Sequence, residues 1–260
     1  MSIDRITETF NGLKISGRTA IVGFLMAGDP ETPEDEIRGV SKDGLDILEL
    51  GVPFSDPIAD GPVIQAAGQR ALAAGTTAAG VLDLVGRLRT DCSLPIILFG
   101  YMNPFLACGF EKFCREAARA GADGLLIVDL PFEEAADYRE IMKRHSLPLI
   151  PLVAPTTPPE RAREILENAE GFVYYIMVKG VTGARERVAA DLEIRVSNLR
   201  KLTPLPIVAG FGIGNMDQAR QIARCVDGVV IGSALIEAAR DRRLGSFVRE
   251  IRRALSPGGK

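Results

Sequence analysis

The chain is poor in the residues that carry most acid–base and metal chemistry. Among its 260 residues there is one histidine, His145, set beside Lys143 and Arg144 at an expected helix end. There it meets solvent or the negative end of a helix dipole, so neither a catalytic histidine nor a His-built metal site is expected. The four cysteines, Cys92, Cys108, Cys114 and Cys225, make no CxxC pair and no metal-like spacing. They fit reduced structural thiols in a cytoplasmic protein. No apolar run approaches the roughly 20 residues that span a bilayer. The opening MSIDRITETF carries charges where a signal peptide would carry its apolar core. A basic block is also missing, and the formal net charge is −3. Neither nucleic acid nor an anionic membrane is therefore an expected partner.

What is present is enough for one substantial core. Hydrophobic residues make up 47% of the chain, and a length near 250 is usual for a single α/β barrel. Eight short apolar runs recur from end to end, at 19–25, 46–50, 95–100, 124–128, 148–153, 172–178, 206–210 and 228–231. They are too short for helices and lack the polar alternation of a half-exposed sheet, as expected of parallel strands covered on both faces. Amphipathic stretches lie between them. Phe110, Phe113, Cys114, Ala117 and Ala118 line one face of a helix over 110–120, which Gly121 stops. Thr32-Pro33-Glu34-Asp35 reads as another helix start, with an N-cap, a proline in the first turn and acids near the positive end of the dipole. DGLDILELGVPF (43–54), GADGLLIVDLPF (121–132) and VDGVVIGSA from Val226 repeat one order: helix stop, acid, strand, loop. The architecture expected is a single (β/α)8 TIM barrel over residues 1–260, with an extra N-terminal helix and extended loops after strands 2 and 6. A doubly wound open sheet is the alternative.

In such a barrel, functional groups project from the C-terminal ends of strands and the loops that follow. Two of those loops are long and contain glycine, 51–61 and 179–190, and both read as lids or as surface insertions. Glu49 interrupts an apolar strand and shares a face with Ile47. A carboxyl buried there has its charged form disfavoured, which suits a general acid/base; a structural ion pair is the alternative. Asp60 follows in the loop, where it reads as a second functional carboxylate or as a helix N-cap. Glycines cluster in GFGIGN (210–215) and GSA (232–234), each ahead of a helix. Main-chain N–H groups at helix starts hold anions, and barrels commonly bind phosphate after strands 7 and 8; tight turns alone are the alternative. The spacing is not GxGxxG, which sets a dinucleotide aside.

At these residues the chain resembles the tryptophan synthase alpha chain family. The motifs are LELGVPFSDPIADGP (48–62), GDP (28–30), NP (103–104), DLPFEEA (129–135), APTTP (154–158), GVTGAR (180–185), GFGI (210–213) and IGSA (231–234). They keep the family's order over nearly the whole chain. The resemblance implies cleavage of indole-3-glycerol phosphate to indole and glyceraldehyde 3-phosphate. It makes Glu49 the general acid/base and Asp60 the carboxylate at the indole N–H. It places Thr182 and Gly183 in a closing loop on the phosphate side, with Phe211, Gly212, Gly232 and Ser233 completing the phosphate cradle. Phe24 and Tyr174 match the aromatic walls of the pocket. It also implies an αββα complex with a β chain, and pyridoxal phosphate in that partner only. Lys179 stands where many relatives carry a small polar residue.

Rival readings share parts of this pattern. A free-standing indole-glycerol-phosphate lyase would use the same residues. A Schiff-base aldolase would use Lys179 at the end of strand 6, although a low-pKa lysine needs a fixed, desolvated site. A silent phosphate-ligand binder or scaffold has no use for two such carboxylates.

Overall fold

The computed structural model describes residues 4–177, 185–210 and 216–256, with side chains except at 185–191 and 216–218. All eight apolar runs form strands. They are β1 (Ala20–Met26), β2 (Ile47–Gly51), β3 (Ile96–Gly100), β4 (Gly124–Ile127), β5 (Leu152–Val153), β6 (Val173–Ile176), β7 (Ile207–Gly210) and β8 (Gly228–Ile231). Helix α1 (Arg5–Ile15) precedes them and α2 (Glu34–Asp43) follows β1. After β2 come α3 (Pro62–Ala73) and α4 (Ala78–Leu88), and after β3 come α5 (Met102–Ala107) and α6 (Phe110–Ala120). Helices α7 (Ala136–Arg144), α8 (Pro159–Leu166), α9 (Arg185–Leu199) and α10 (Met216–Ala223) follow β4 to β7. After β8 the chain ends in α11 (Ser233–Arg240) and α12 (Leu244–Leu255). No single helix among the described residues is long and apolar enough to cross a membrane.

Every strand pairing is parallel, in the order β4-β3-β2-β1-β8-β7-β6-β5. The sheet then closes on itself. Leu125 in β4 bridges Leu149, its N–H donating to the Pro148 carbonyl at 3.0 Å, and the Ile150 N–H donates to the Leu125 carbonyl at 2.8 Å. That closure makes a barrel and excludes the open sheet. The seam is narrow because β5 is two residues long: in PLIPLV, Pro148 and Pro151 have no N–H to give a ladder.

Alternation along the strands separates two cores. Leu48 and Leu50 pack outward with the helices, whereas Ile47 faces inward. One residue from each strand or its entry forms an interior layer: Val22, Ile47, Ile97, Leu126, Ile150, Phe172, Val208 and Val230. Helix α1 closes the barrel's N-terminal end by adding Ile6, Phe10 and Leu13 to this cluster, with the Phe10 and Phe172 rings 5.8 Å apart.

Helix boundaries mostly follow the local signals. Helix α6 spans 110–120, buries Phe110, Phe113, Cys114 and Ala117, and stops at Gly121 with φ 99°. His145 is the C-cap of α7, and the four cysteines are free. Two expectations change. Pro33, not Thr32, occupies the N-cap of α2, and no side chain caps it; Thr32 is instead buried. After β6, residues 185–190 of the stretch read as loop are already helix α9.

Candidate active site

Two residues beyond the interior layer, each strand places its next inward residue at the C-terminal mouth. Counting on from the eight gives Phe24, Glu49, Phe99, Val128, Leu152, Tyr174, Gly210 and Gly232. Four of these, Phe24, Glu49, Tyr174 and Gly232, were expected site residues, and one ring of the barrel brings them together. Phe24 and Glu49 are register partners. Phe24 meets Phe99 edge-on, ring centroids 5.1 Å apart. The two glycines leave the β7–β8 side of the ring without side chains. Tyr174 uses part of that space: a β-carbon on Gly210 would lie 2.5 Å from its ring.

Glu49 is therefore a carboxyl in an aromatic and aliphatic ring. It is fully buried, and neither oxygen has a hydrogen-bond partner among the described residues. Among the described residues no cation pairs with it, so none of them makes the structural ion pair. Burial pushes it up to about 8, the range in which one group can both give and take a proton. Burial, and then the charge of Glu49, raises the Tyr174 hydroxyl well above its usual value. Tyr174 thus faces the carboxyl as a neutral phenol.

Asp60 comes from the extended loop 52–61 between β2 and α3. It is not the helix cap; Gly61 is, with no side-chain bond. Burial raises Asp60 to about 6, against the lowering effect of a hydrogen bond from the Tyr101 hydroxyl. That hydroxyl also accepts the Ala59 N–H at 3.0 Å. Sequence reasoning missed Tyr101, although Ile97, Phe99 and Tyr101 share one alternating face of β3 and its exit. Gln65 in α3 was missed as well; its amide donates to the Asp60 carbonyl at 2.9 Å.

Gly232 is the N-cap of α11 and Ser233 its first residue, so the first N–H groups of that helix start at the mouth beside Phe24. A free helix N-terminus favours an anion. Thr182, Gly183, Phe211 and Gly212, and Lys179 of the aldolase reading, lie outside the described residues. Among the described residues, no group of three or more His, Cys, Asp or Glu side chains is placed to hold a metal. A cavity of about 1070 Å³ touches the ring at Val128 and Leu152 and runs outward past Arg139 and Arg161. It contains none of the expected site residues.

Comparison with known proteins agrees with this geometry along the whole chain. Residues 10–253 match the family model described as tryptophan synthase alpha chain. A tryptophan synthase alpha chain from Geobacter sulfurreducens is 47% identical over 262 aligned residues, 97% of this chain and 99% of the relative. The crystal structure of tryptophan synthase subunit alpha from Legionella pneumophila superposes with a TM-score of 0.87 at 37% identity, covering 96% and 98% of the two chains. A chain of tryptophan synthase from M. tuberculosis gives 0.88 at 31%, covering 97% and 99%. With a closed parallel barrel, an unpaired acid at its mouth and relatives matched over their full length, the chain belongs to the tryptophan synthase alpha chain family.

Proposed function

We propose that the chain cleaves indole-3-glycerol phosphate to indole and glyceraldehyde 3-phosphate by a retro-aldol reaction. The observation that carries this is Glu49: a carboxyl buried without a partner among the described residues, held near 8, in the ring at the barrel mouth that Phe24 and Tyr174 share. Indole C3 leaves only once it is protonated, and protonation puts positive charge on the ring nitrogen. Asp60, as a carboxylate at the N–H, stabilises that charge as it develops. Glu49 delivers the proton to C3. As the C–C bond breaks, its carboxylate takes the proton of the glycerol hydroxyl, whose carbon becomes the aldehyde. Positioned proton transfer of this kind contributes about 10²–10⁴-fold.

Phe24 and Tyr174 wall the aromatic half of the substrate. The N–H groups at Gly232 and Ser233 take the phosphate, with Thr182, Gly183, Phe211 and Gly212 proposed to complete that grip. Anchoring the far end lets remote binding energy hold the reacting carbon over Glu49. Proton transfers alone balance the reaction, and this chain uses no cofactor. Pyridoxal phosphate belongs to the β chain, the partner in an α2β2 assembly that would consume the indole.

Indole release from indole-3-glycerol phosphate, measured with and without a tryptophan synthase β chain, tests this reading. Release that rises strongly with the partner is expected. Fast release from the chain alone would favour a free-standing lyase, and no release in either arm would overturn the reading.

A further inference from the structure

Asp60 lies in a segment whose main chain is held by side chains from two other elements. Gln65, early in α3, turns its amide back over the loop. Its nitrogen donates to the Asp60 carbonyl at 2.9 Å and to the Pro57 carbonyl at 3.4 Å. Within the loop, the Asp60 N–H donates to the same Pro57 carbonyl at 3.1 Å. At the exit of β3, the Tyr101 hydroxyl accepts the Ala59 N–H at 3.0 Å. The Tyr101 ring packs on Phe54 at the start of the loop, centroids 5.3 Å apart.

The helix that carries Gln65 is itself anchored. Arg70 of α3 makes a two-armed bond to Asp29 in the loop after β1, Nε to Oδ1 at 2.8 Å and Nη2 to Oδ2 at 2.6 Å. The Asp29 side chain is fully buried. A bidentate pair of this kind fixes orientation as well as distance. Ala67 and Ala71 of the same helix pack with Phe24 and Met26 of β1. Gln65 thus reaches the loop from an element whose place relative to the Phe24 wall is set.

An amide nitrogen has two hydrogens, and both of these face loop carbonyls, so Gln65 keeps no donor for a substrate. The bond at the Asp60 carbonyl limits rotation of that peptide plane, and with it the direction in which the Asp60 side chain leaves the loop. Resting on the reading of Asp60 as the carboxylate at the indole N–H, we propose that Gln65 is its positioning residue. It holds the main chain over 57–60 so that the carboxylate meets the ring N–H, without touching the reacting atoms. The charge that this carboxylate answers develops only as C3 is protonated. A displaced Asp60 therefore slows the chemical step more than it weakens binding.

The test uses two full-length variants, with thermal melts to confirm folding. Gln65→Met keeps the length of the side chain and has no donor; Gln65→Glu, at pH 8, presents an acceptor to the same carbonyls. In indole release, Gln65→Met should lower kcat about tenfold while KM rises by no more than about threefold. Calorimetric binding of two inert ligands separates positioning from general support. One is indole-3-propyl phosphate; the other is its benzothiophene counterpart, with sulfur in place of the ring N–H. Wild type should favour the indole ligand about tenfold, as a hydrogen bond to a charged group implies. Both variants should narrow that preference to about threefold or less, whereas a role confined to supporting the helix would weaken the two ligands alike. A preference unchanged in both variants, or wild-type kcat in Gln65→Met, would overturn the proposal. Equal binding of the two ligands by wild type would instead remove the reading of Asp60 on which it rests.

Discussion

The pivotal residue is a carboxyl that a strand places where no charge is welcome. Glu49 carries its ionisation as a standing cost to the fold. Its folded value, about 8, lies above an ordinary value near 4.5, so the folded state prefers the protonated form. Stability from this group is complete below about 4.5 and is lost as pH rises toward 8. At pH 7 the loss amounts to roughly 3 kcal/mol. Glu49→Gln, a neutral group of the same shape, should therefore unfold at higher denaturant than wild type at pH 7–8 and with little difference near pH 4. Equal midpoints throughout would mean that water or a neighbour compensates the acid. The two carboxyls also set a pH profile. The proposed mechanism needs Asp60 ionised and Glu49 protonated, so kcat/KM should rise through about 6 and fall through about 8. A profile with one limb would separate one acid from the reaction. Asp60→Asn should slow turnover less than Glu49→Gln, because it removes an electrostatic partner and leaves the proton carrier.

At the scale of elements, the repeated acid before a strand has one physical role. Asp46, Asp123 and Asp227 each precede a strand. Each carboxylate accepts a backbone N–H of the neighbouring strand at 2.8 Å, from Ile21, Ile96 and Ile207 respectively. In the same three places the aspartate's own N–H donates back to that isoleucine's carbonyl. An arginine answers each acid: Arg252 at Asp46, Arg89 at Asp123 and Arg200 at Asp227. Arg89 and Arg252 also bond the carbonyls of Gly121 and Gly44, which end the preceding helices. These clasps differ in burial, which orders their expected effects. Asp123→Ala leaves the charge of Arg89, 11% exposed, with backbone carbonyls but without its carboxylate, and should destabilise the fold by about 3–5 kcal/mol. Asp227→Ala leaves Arg200, 45% exposed, and should cost about 1 kcal/mol. Denaturant melts of the two variants check the order, and kcat should hold in both, since the clasps lie at the end of the barrel away from Glu49.

This repeat was legible as a pattern of letters, and so were the eight strands, because burial on both faces writes itself as unbroken apolarity. Glu49 was legible for the same reason, as a charge set between apolar residues within such a run. What stayed hidden depends on contacts across sequence distance or on backbone detail. Thr32 looks like a cap, but Pro33 holds the extended conformation that the cap position requires. The prolines shortened β5 below its apolar span. Tyr101 reaches Ala59, 42 residues earlier, and no local pattern around YMNPF announces that bond.

For the whole molecule, the barrel divides the work between its two ends. The N-terminal end is closed by α1 and stapled by aspartate–arginine clasps. The C-terminal end holds a ring in which one acid has no partner among the described residues, flanked by glycines and by the start of α11, which favours an anion. Changes at the first end should move stability, and changes at the second should move turnover. The most direct measurement is single-turnover indole release by Glu49→Gln, with substrate binding followed in the same sample. The account predicts that indole-3-glycerol phosphate still binds and that its cleavage slows at least about 100-fold. Cleavage near the wild-type rate would contradict it, because the proton that makes indole a leaving group would then come from somewhere else.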